Sequence, residues 1–289
     1  METPRVLTAA DARALGISRG QLRSLPWLHL AHDRWVDLDD GVDRLGHLAL
    51  LAQGLPDDAA FSHLTAASLL GAHVDPPARP SIVLTPRRVL PQRAEVLVHA
   101  RRLEAGDVVL HRGLRVTSGA QTFLDLAPTT GPAELCAIGD ALWRAGALTA
   151  ESLAGRLARA DRVRGVLRAR VVAPRLDPRA MSRPESKVRW WIGQSDLPPI
   201  EVQVPVRDRR GRVVAHGDLG WERFRTLVEY EGRQHADPDQ FDRDIDRYSL
   251  MGADGYLLLR FARRHQREDV VVDRCRRALL SRGWVPPAS

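Results

Sequence analysis

The sequence predicts an α/β multidomain protein, and three observations carry that expectation. Its 289 residues exceed what one core of ordinary size requires. Stretches of helical periodicity alternate with short extended runs along the whole chain. Pro174, Pro178 and Pro184 interrupt an arginine-rich stretch and mark a boundary near 172–183. Four regions follow: 1–55, a mixed α+β middle over 56–150, an arginine-rich helix and linker over 151–183, and a C-terminal domain over 184–289.

In the first region, Thr8 caps a helix reaching Leu15, and Gly16 breaks it. Ser18 caps a second helix running to about Ser24, ahead of Pro26. Trp27-Leu28-His29-Leu30 and Asp33-Arg34-Trp35-Val36 alternate around a polar turn and suit a small β-wing. Two short helices and a wing compose a winged helix-turn-helix, which lays its second helix in a major groove. Arg19, Gln21, Arg23 and Arg34 are the candidate nucleic-acid contacts. Helix pairs this short also occur in proteins that never meet DNA.

Residues 42–54 and 62–71 read as helices, followed by extended runs at 81–85, 95–99 and 108–116. Two more helices are expected near 119–127 and 132–145. His63, His73, His99 and His111 lie at irregular spacings, which suits packed histidines better than ligands. Residues 155–171 read as a helix with Leu157, Val163, Val166 and Leu167 on one stripe. Its Arg162, Arg164 and Arg168 are candidate phosphate contacts, with a solvated helix face as the alternative.

Basic residues outnumber acidic ones by 43 to 36, a net charge of +7, and Lys187 is the one lysine. Residues 1–151 carry a net −2, residues 152–180 a net +6 and residues 181–289 a net +3. That placement favours an anionic partner, and a phosphate backbone is the commonest. Two cysteines, Cys136 and Cys275, far apart in the chain, support neither a zinc cage nor a disulfide framework. Few cysteines and no basic-apolar leader suit a cytoplasmic location, and no apolar run is long enough to span a membrane.

The C-terminal domain reads as helix, three strands, helix, strand, helix (αβββαβα). Ser182-Arg183-Pro184-Glu185 opens the first helix with a capping-box pattern. Val202–Val206 and Arg212–Leu219 flank a polar turn, and Thr226–Glu231 forms the next strand. A polar helix over Asp237–Met251 carries Arg243, a further nucleic-acid candidate. A buried strand follows at Tyr256–Phe261, and 268–281 closes the domain as a helix. Asp218 falls near the end of the second strand. Glu229 and Glu231 project from one face of the third, where acids are disfavoured, so they meet solvent or a cation. A hard divalent ion takes one or two carboxylates plus waters and phosphates. Gln234 and His235 follow at once, and the histidine suits water orientation or proton transfer. Each residue also has a plain alternative. Glu185 can serve only the cap, Asp218 a turn, Glu229 and Glu231 a solvated face, and His235 a loop hydrogen bond.

The run Pro184-Glu185, Gly217-Asp218-Leu219, Val228-Glu229-Tyr230-Glu231-Gly232-Arg233-Gln234-His235 resembles the PD-(D/E)XK nucleases, in the branch similar to very-short-patch-repair endonucleases. Gly255-Tyr256-Leu257-Leu258-Leu259-Arg260-Phe261 resembles that branch's closing strand, and the likeness covers about 181–284. It implies a restriction-endonuclease-like core with Mg²⁺ or Mn²⁺ held by Asp218 and Glu229, and Glu185 contributing from the first helix. Glu231 stands where many members place a catalytic lysine and where the branch more often has aspartate. Glu231 would join the metal carboxylates, and His235 or Gln234 would take the vacant lysine's part. Leu7–Ala12, Arg34-Trp35-Val36 and the stretches 115–118 and 122–127 resemble, more loosely, winged-helix antitoxins and regulators of abortive-infection systems. The expectation is a metal-dependent DNA endonuclease or nickase acting on double- or single-stranded DNA. The alternatives are a DNA-binding regulator or antitoxin-like protein with an inactive nuclease fold, and a protein-interaction scaffold.

Overall fold

The computed structural model describes residues 6–23, 27–31, 33–37, 43–231 and 248–287. The chain is α/β, with mixed sheets. It divides into two compact units, Met1–Leu69 with Asp75–Thr122, and Leu70–Val74 with Phe123–Ser289. No helix among the described residues is long and apolar enough to cross a membrane.

The first unit opens with β1 (Val6–Leu7) and α1 (Ala9–Ala14), where Thr8 and Asp11 form a reciprocal capping box. The expected second helix is replaced by a single 3-10 turn, Gln21–Arg23. There the Gln21 amide oxygen accepts from the Ser18 N–H at 2.9 Å and from its hydroxyl at 2.8 Å, closing one turn. Ser24 and Pro26 lie outside the described residues. The expected strand pair forms, β2 (Trp27–Ala31) pairing with β3 (Arg34–Asp37), and β1 adds on β3. Asp33, in the turn, accepts a 3.0 Å hydrogen bond from the Ala9 N–H and ties the hairpin to α1.

A five-stranded sheet follows, ordered β6-β5-β4-β8-β7. Its members are β4 (Ala60–Phe61), β5 (Ser81–Leu84), β6 (Leu97–Ala100), β7 (Val108–His111) and β8 (Leu114–Thr117). The run 108–116, read as one strand, is a hairpin. Arg112 and Gly113 both take positive φ, the twist that a two-residue turn requires. Helices α2 (Arg44–Gln53) and α3 (His63–Leu69) belong to this unit, whose core includes Leu48, Leu51, Phe61, Ile82 and Val116.

Helix α4 (Gly119–Leu126) leads into the second unit, where α5 (Pro132–Arg144) begins with proline inside its first turn. The expected helix over 155–171 is two helices, α6 (Ala150–Ala158) and α7 (Val166–Val172). Between them Arg162 and Gly165 take positive φ, 52° and 83°, and a Cβ at Gly165, the N-cap of α7, would lie 2.6 Å from the Pro128 nitrogen. Leu157 and Val166 are buried, whereas Leu167 is 75% exposed, so the predicted stripe does not persist through the break.

Among the described residues the last part runs α8 (Arg183–Ile192), β9 (Glu201–Arg207), β10 (Val213–Trp221), β11 (Thr226–Glu231), a helix α9 over 248–253, β12 (Leu257–Ala262) and α10 (Glu268–Ser281), and residues 237–247 of the expected polar helix lie outside them. The sheet order is β12-β11-β10-β9, antiparallel except for the β11–β12 pair. Val204, Val206, Leu227, Met251 and Tyr256 form a buried cluster on it. Helix α8 packs on α5, α10, β10 and β11. The α5–α8 contact contains a buried ion pair, Arg189 to Asp140 at 2.5 Å, and Asp140 also accepts from the Asp177 N–H at 2.7 Å. Burial pushes the Cys136 and Cys275 thiols up to about 12, so both are inert packing residues.

Candidate functional site

Three acidic residues from three elements of the second unit lie near one another. Glu185 occupies the first turn of α8, whose N-cap Ser182 accepts from the Glu185 N–H at 3.3 Å. The expected reciprocal bond does not form. The Glu185 carboxylate instead accepts from the Met181 N–H at 2.9 Å, one residue further back. Glu185 is 5% exposed, and burial raises its pKa. The Ser182 hydrogen bond acts against that rise, and the Asp218 carboxylate adds to it. Asp218 is therefore close enough for its charge to be felt at Glu185.

Asp218 is half-buried on β10, one residue before the point where β10 pairs with β11 through Leu219 and Val228. Glu229 follows Val228 on β11, so the two acids occupy adjacent positions on neighbouring strands. Glu229 is 3% exposed, which removes the solvated-face alternative for this residue. Its register partner on β12 is Arg260, whose guanidinium stands 4.3 Å over the Tyr248 ring. Asp218, Glu229 and Arg260 each make further interactions. The backbone of Glu231 pairs with Ala262, and its side chain lies outside what is described, as do Gln234, His235 and Arg243.

Arg144 of α5 also acts on Glu185, its positive charge drawing the carboxyl down. Arg144 itself donates to the Ala180 carbonyl just ahead of α8. Sequence reasoning missed this residue, because nothing in the local pattern around Arg144 refers to a helix so much later in the chain. Lys187 is turned to another task. Its ammonium is 3.7 Å from Glu134 on α5 and 5.5 Å from the Trp191 ring centre. Among the described residues, no three His, Cys, Asp or Glu side chains are arranged to cage a metal ion.

The nucleic-acid candidates divide by what their side chains do. Arg19, Arg23, Arg34, Arg162 and Arg164 are exposed. Gln21 is engaged with Ser18, as described above. Arg168 donates to the Ala127 carbonyl at 2.7 Å and the Thr130 carbonyl at 3.0 Å, closing the end of α4. Arg170 does the same at the end of α6, on Leu157 at 3.1 Å and Ala160 at 3.4 Å. Two arginines of this segment, Arg168 and Arg170, thus satisfy the ends of helices.

No protein-family model matches the chain. It is 27% identical over 221 residues to two uncharacterized proteins of Mycobacterium tuberculosis, MT2308 of strain CDC 1551 / Oshkosh and Rv2248 of strain H37Rv. Each match covers 75% of this chain and 79% of the relative. Among solved structures, the RV2827C protein of Mycobacterium tuberculosis is similar at 18% identity and a TM-score of 0.40. That likeness covers 59% of this chain and 72% of the other.

Proposed function

We propose that this protein is a metal-dependent DNA endonuclease or nickase whose C-terminal part has the restriction-endonuclease-like arrangement and whose N-terminal part is a winged DNA-binding module. The carrying observation is the placement of Glu185, Asp218 and Glu229 on a helix and two adjacent strands, with two of the three buried. Carboxylates gathered against their mutual repulsion mark functional sites more often than structural ones. The order α8-β9-β10-β11-α9-β12-α10, with one parallel strand pair, supports the reading, as does the motif resemblance.

Asp218 and Glu229 would hold Mg²⁺ or Mn²⁺, and two carboxylates suffice where waters and a substrate phosphate complete the shell. The donor set is of the hard oxygen type this ion prefers. When bound, the ion supplies Lewis-acid polarisation of the phosphodiester and a more acidic water. Glu185, with its raised pKa, holds a proton more readily than an ordinary glutamate and adds less negative charge beside Asp218. Gln234 and His235 remain the candidates for orienting water, and Glu231 for a third carboxylate.

Purified protein is expected to cut plasmid or single-stranded DNA with Mg²⁺ or Mn²⁺, and Asp218→Ala to abolish cutting. Equal cutting by the variant and the parent would mean that the site is misassigned. One observation favours a second reading, a DNA-binding regulator with an inactive nuclease fold: the one lysine is engaged with Glu134 and Trp191. That reading predicts DNA binding without divalent ions and intact DNA after they are added.

A further inference from the structure

The first unit holds a basic surface that its overall charge conceals. Residues 1–122, which contain this unit, carry a net of only +1, yet residues 76–103 contain six arginines and one acid, Glu95, a local net of +5. The connection from β5 to β6 runs through Pro86-Arg87-Arg88-Val89-Leu90-Pro91-Gln92-Arg93. The two strands are parallel neighbours, so the chain must cross back between them, and the prolines keep a helix from forming there. The loop borders a cleft of about 760 Å³ that Arg79, Arg87, Arg88 and Arg93 line together with aliphatic side chains such as Val89 and Leu97, and with no acidic or aromatic side chain.

Three of the guanidiniums are held by backbone or carboxylate oxygens. Arg79 donates from Nη2 to the Val96 carbonyl at 2.9 Å and the Arg93 carbonyl at 3.3 Å. Arg87 pairs with Asp58 and donates from Nε to the Thr85 carbonyl at 3.2 Å. That pairing pulls the Asp58 carboxyl down to about 2. Arg93 donates to the Gly54 carbonyl, and its Nε stands 3.7 Å from Glu95. Each guanidinium has five donors; the bonds of Arg79 and Arg87 use two apiece, and Arg93 makes further interactions. Arg88 is exposed and makes no hydrogen bond among the described residues. The wing is tied to the same place, because His29 of β2 hydrogen-bonds Glu95 at 2.9 Å.

We propose that this arginine-lined cleft binds the phosphate backbone of duplex DNA, as a contact surface separate from the carboxylate site. Guanidinium forks match phosphate oxygens bidentately, and anchoring them beforehand lowers the ordering cost of binding. With no aromatic ring in the lining, bases have no stacking platform, so the contact is to the backbone and independent of sequence. The proposal rests on the reading of DNA as the partner and adds where the first unit grips it.

The test uses the full chain in EDTA, so that binding is measured without cleavage. Fluorescence anisotropy with a labelled duplex is recorded from about 50 to 200 mM salt. Arg79→Gln with Arg88→Gln is expected to weaken binding about tenfold at low salt and to lower the log–log salt slope by about 2. Arg88→Glu alone, at a side chain without a folding role, is expected to weaken binding at unchanged Tm. Parent-like affinity and slope in both variants overturn the cleft while leaving DNA as the partner. A parent chain that does not bind duplex at all overturns that reading and the cleft with it. Tighter binding to poly-glutamate than to duplex under the same salt also overturns the proposal, in favour of an acidic protein.

Discussion

Glu185 shows how a single side chain separates structural from functional necessity. Burial raises its pKa, the Ser182 hydrogen bond opposes that, Asp218 adds to it, and the Met181 N–H and Arg144 oppose it again, leaving the pKa raised. A carboxyl whose folded pKa exceeds its unfolded value binds its proton more tightly in the native state. Ionisation therefore costs stability: the cost is absent below the unfolded carboxyl range and complete above the folded pKa. Glu185→Gln keeps an acceptor for the Met181 N–H and removes the charge facing Asp218. At pH 7 it is expected to match or exceed the parent Tm by a few degrees, on the order of 1 kcal/mol, with no gain near pH 4. If Glu185 serves the proposed cleavage, the same variant loses activity while it gains stability. A lower Tm at pH 7 would show instead that the charge is structurally required. Asp218 and Glu229 were legible in the sequence because acids in a strand interior stand out locally, and Glu185 enters the candidate site through the motif resemblance. Arg144 and Arg260 were not, since their relevance depends on α5 meeting α8 and on β12 lying beside β11.

At the scale of elements, the carboxylate site depends on how closely β10 and β11 approach where they first pair. Gly220 pairs with Leu227, and a Cβ at Gly220 would fall onto the Thr226 carbonyl oxygen and 3.0 Å from the Leu227 Cα. Both obstacles are backbone and cannot swing aside. Gly220→Ala is expected to cost about 1–3 kcal/mol as the strands are forced apart. Urea unfolding measures that loss, and an unchanged midpoint would show that the strands have slack. Displacing β11 from β10 also moves Glu229 relative to Asp218, so binding or cleavage should fall with stability. The C-terminal elements were readable because periodicity and turn chemistry agree along them: β11 and α10 have the predicted bounds. The misreadings have local physical causes. Strands β1 and β4 are two residues long, too short to show alternation. The 155–171 pattern keeps helical spacing across Gly165, whose close approach to Pro128 belongs to tertiary packing and leaves no mark on periodicity. At Ser18–Arg23 a capping signal was present, but the turn it closes does not propagate among the described residues.

The two units differ in how acid should act on them. In the first, the His63 and His99 rings stack with centroids 3.8 Å apart, and Arg101 is near enough to act on both. Burial, then the His99 and Arg101 charges, lower the His63 pKa to about 4, and burial with Arg101 lowers that of His99. Both rings are neutral in the native state at pH 7, whereas in the unfolded chain they protonate near the ordinary value of about 6.5. Between those values the unfolded state binds more protons, so stability is full above the unfolded pKa and falls as the pH drops toward 4. For His63 the loss is at most about 3 kcal/mol, since each tenfold difference in proton affinity between the two states is worth about 1.4 kcal/mol. In the second unit the raised carboxyls of Glu185 and Asp140 act in the opposite sense on acidification, while His265, also lowered by desolvation but far less enclosed than His63, acts in the same sense as the stacked pair. Acid is therefore expected to unfold the first unit ahead of the second. The tryptophans allow a direct reading, because Trp27 and Trp35 lie in the first unit and the other five in the second. With both replaced by phenylalanine, fluorescence follows the second unit alone while far-UV circular dichroism follows both. Lowering the pH from 7 to about 5 should move the dichroism melt below the fluorescence melt. His63→Asn, which tolerates the positive φ of 53° at this position, should narrow that separation. A separation that does not change with pH, or that His63→Asn leaves as wide as before, would assign the acid response to groups other than the stacked pair.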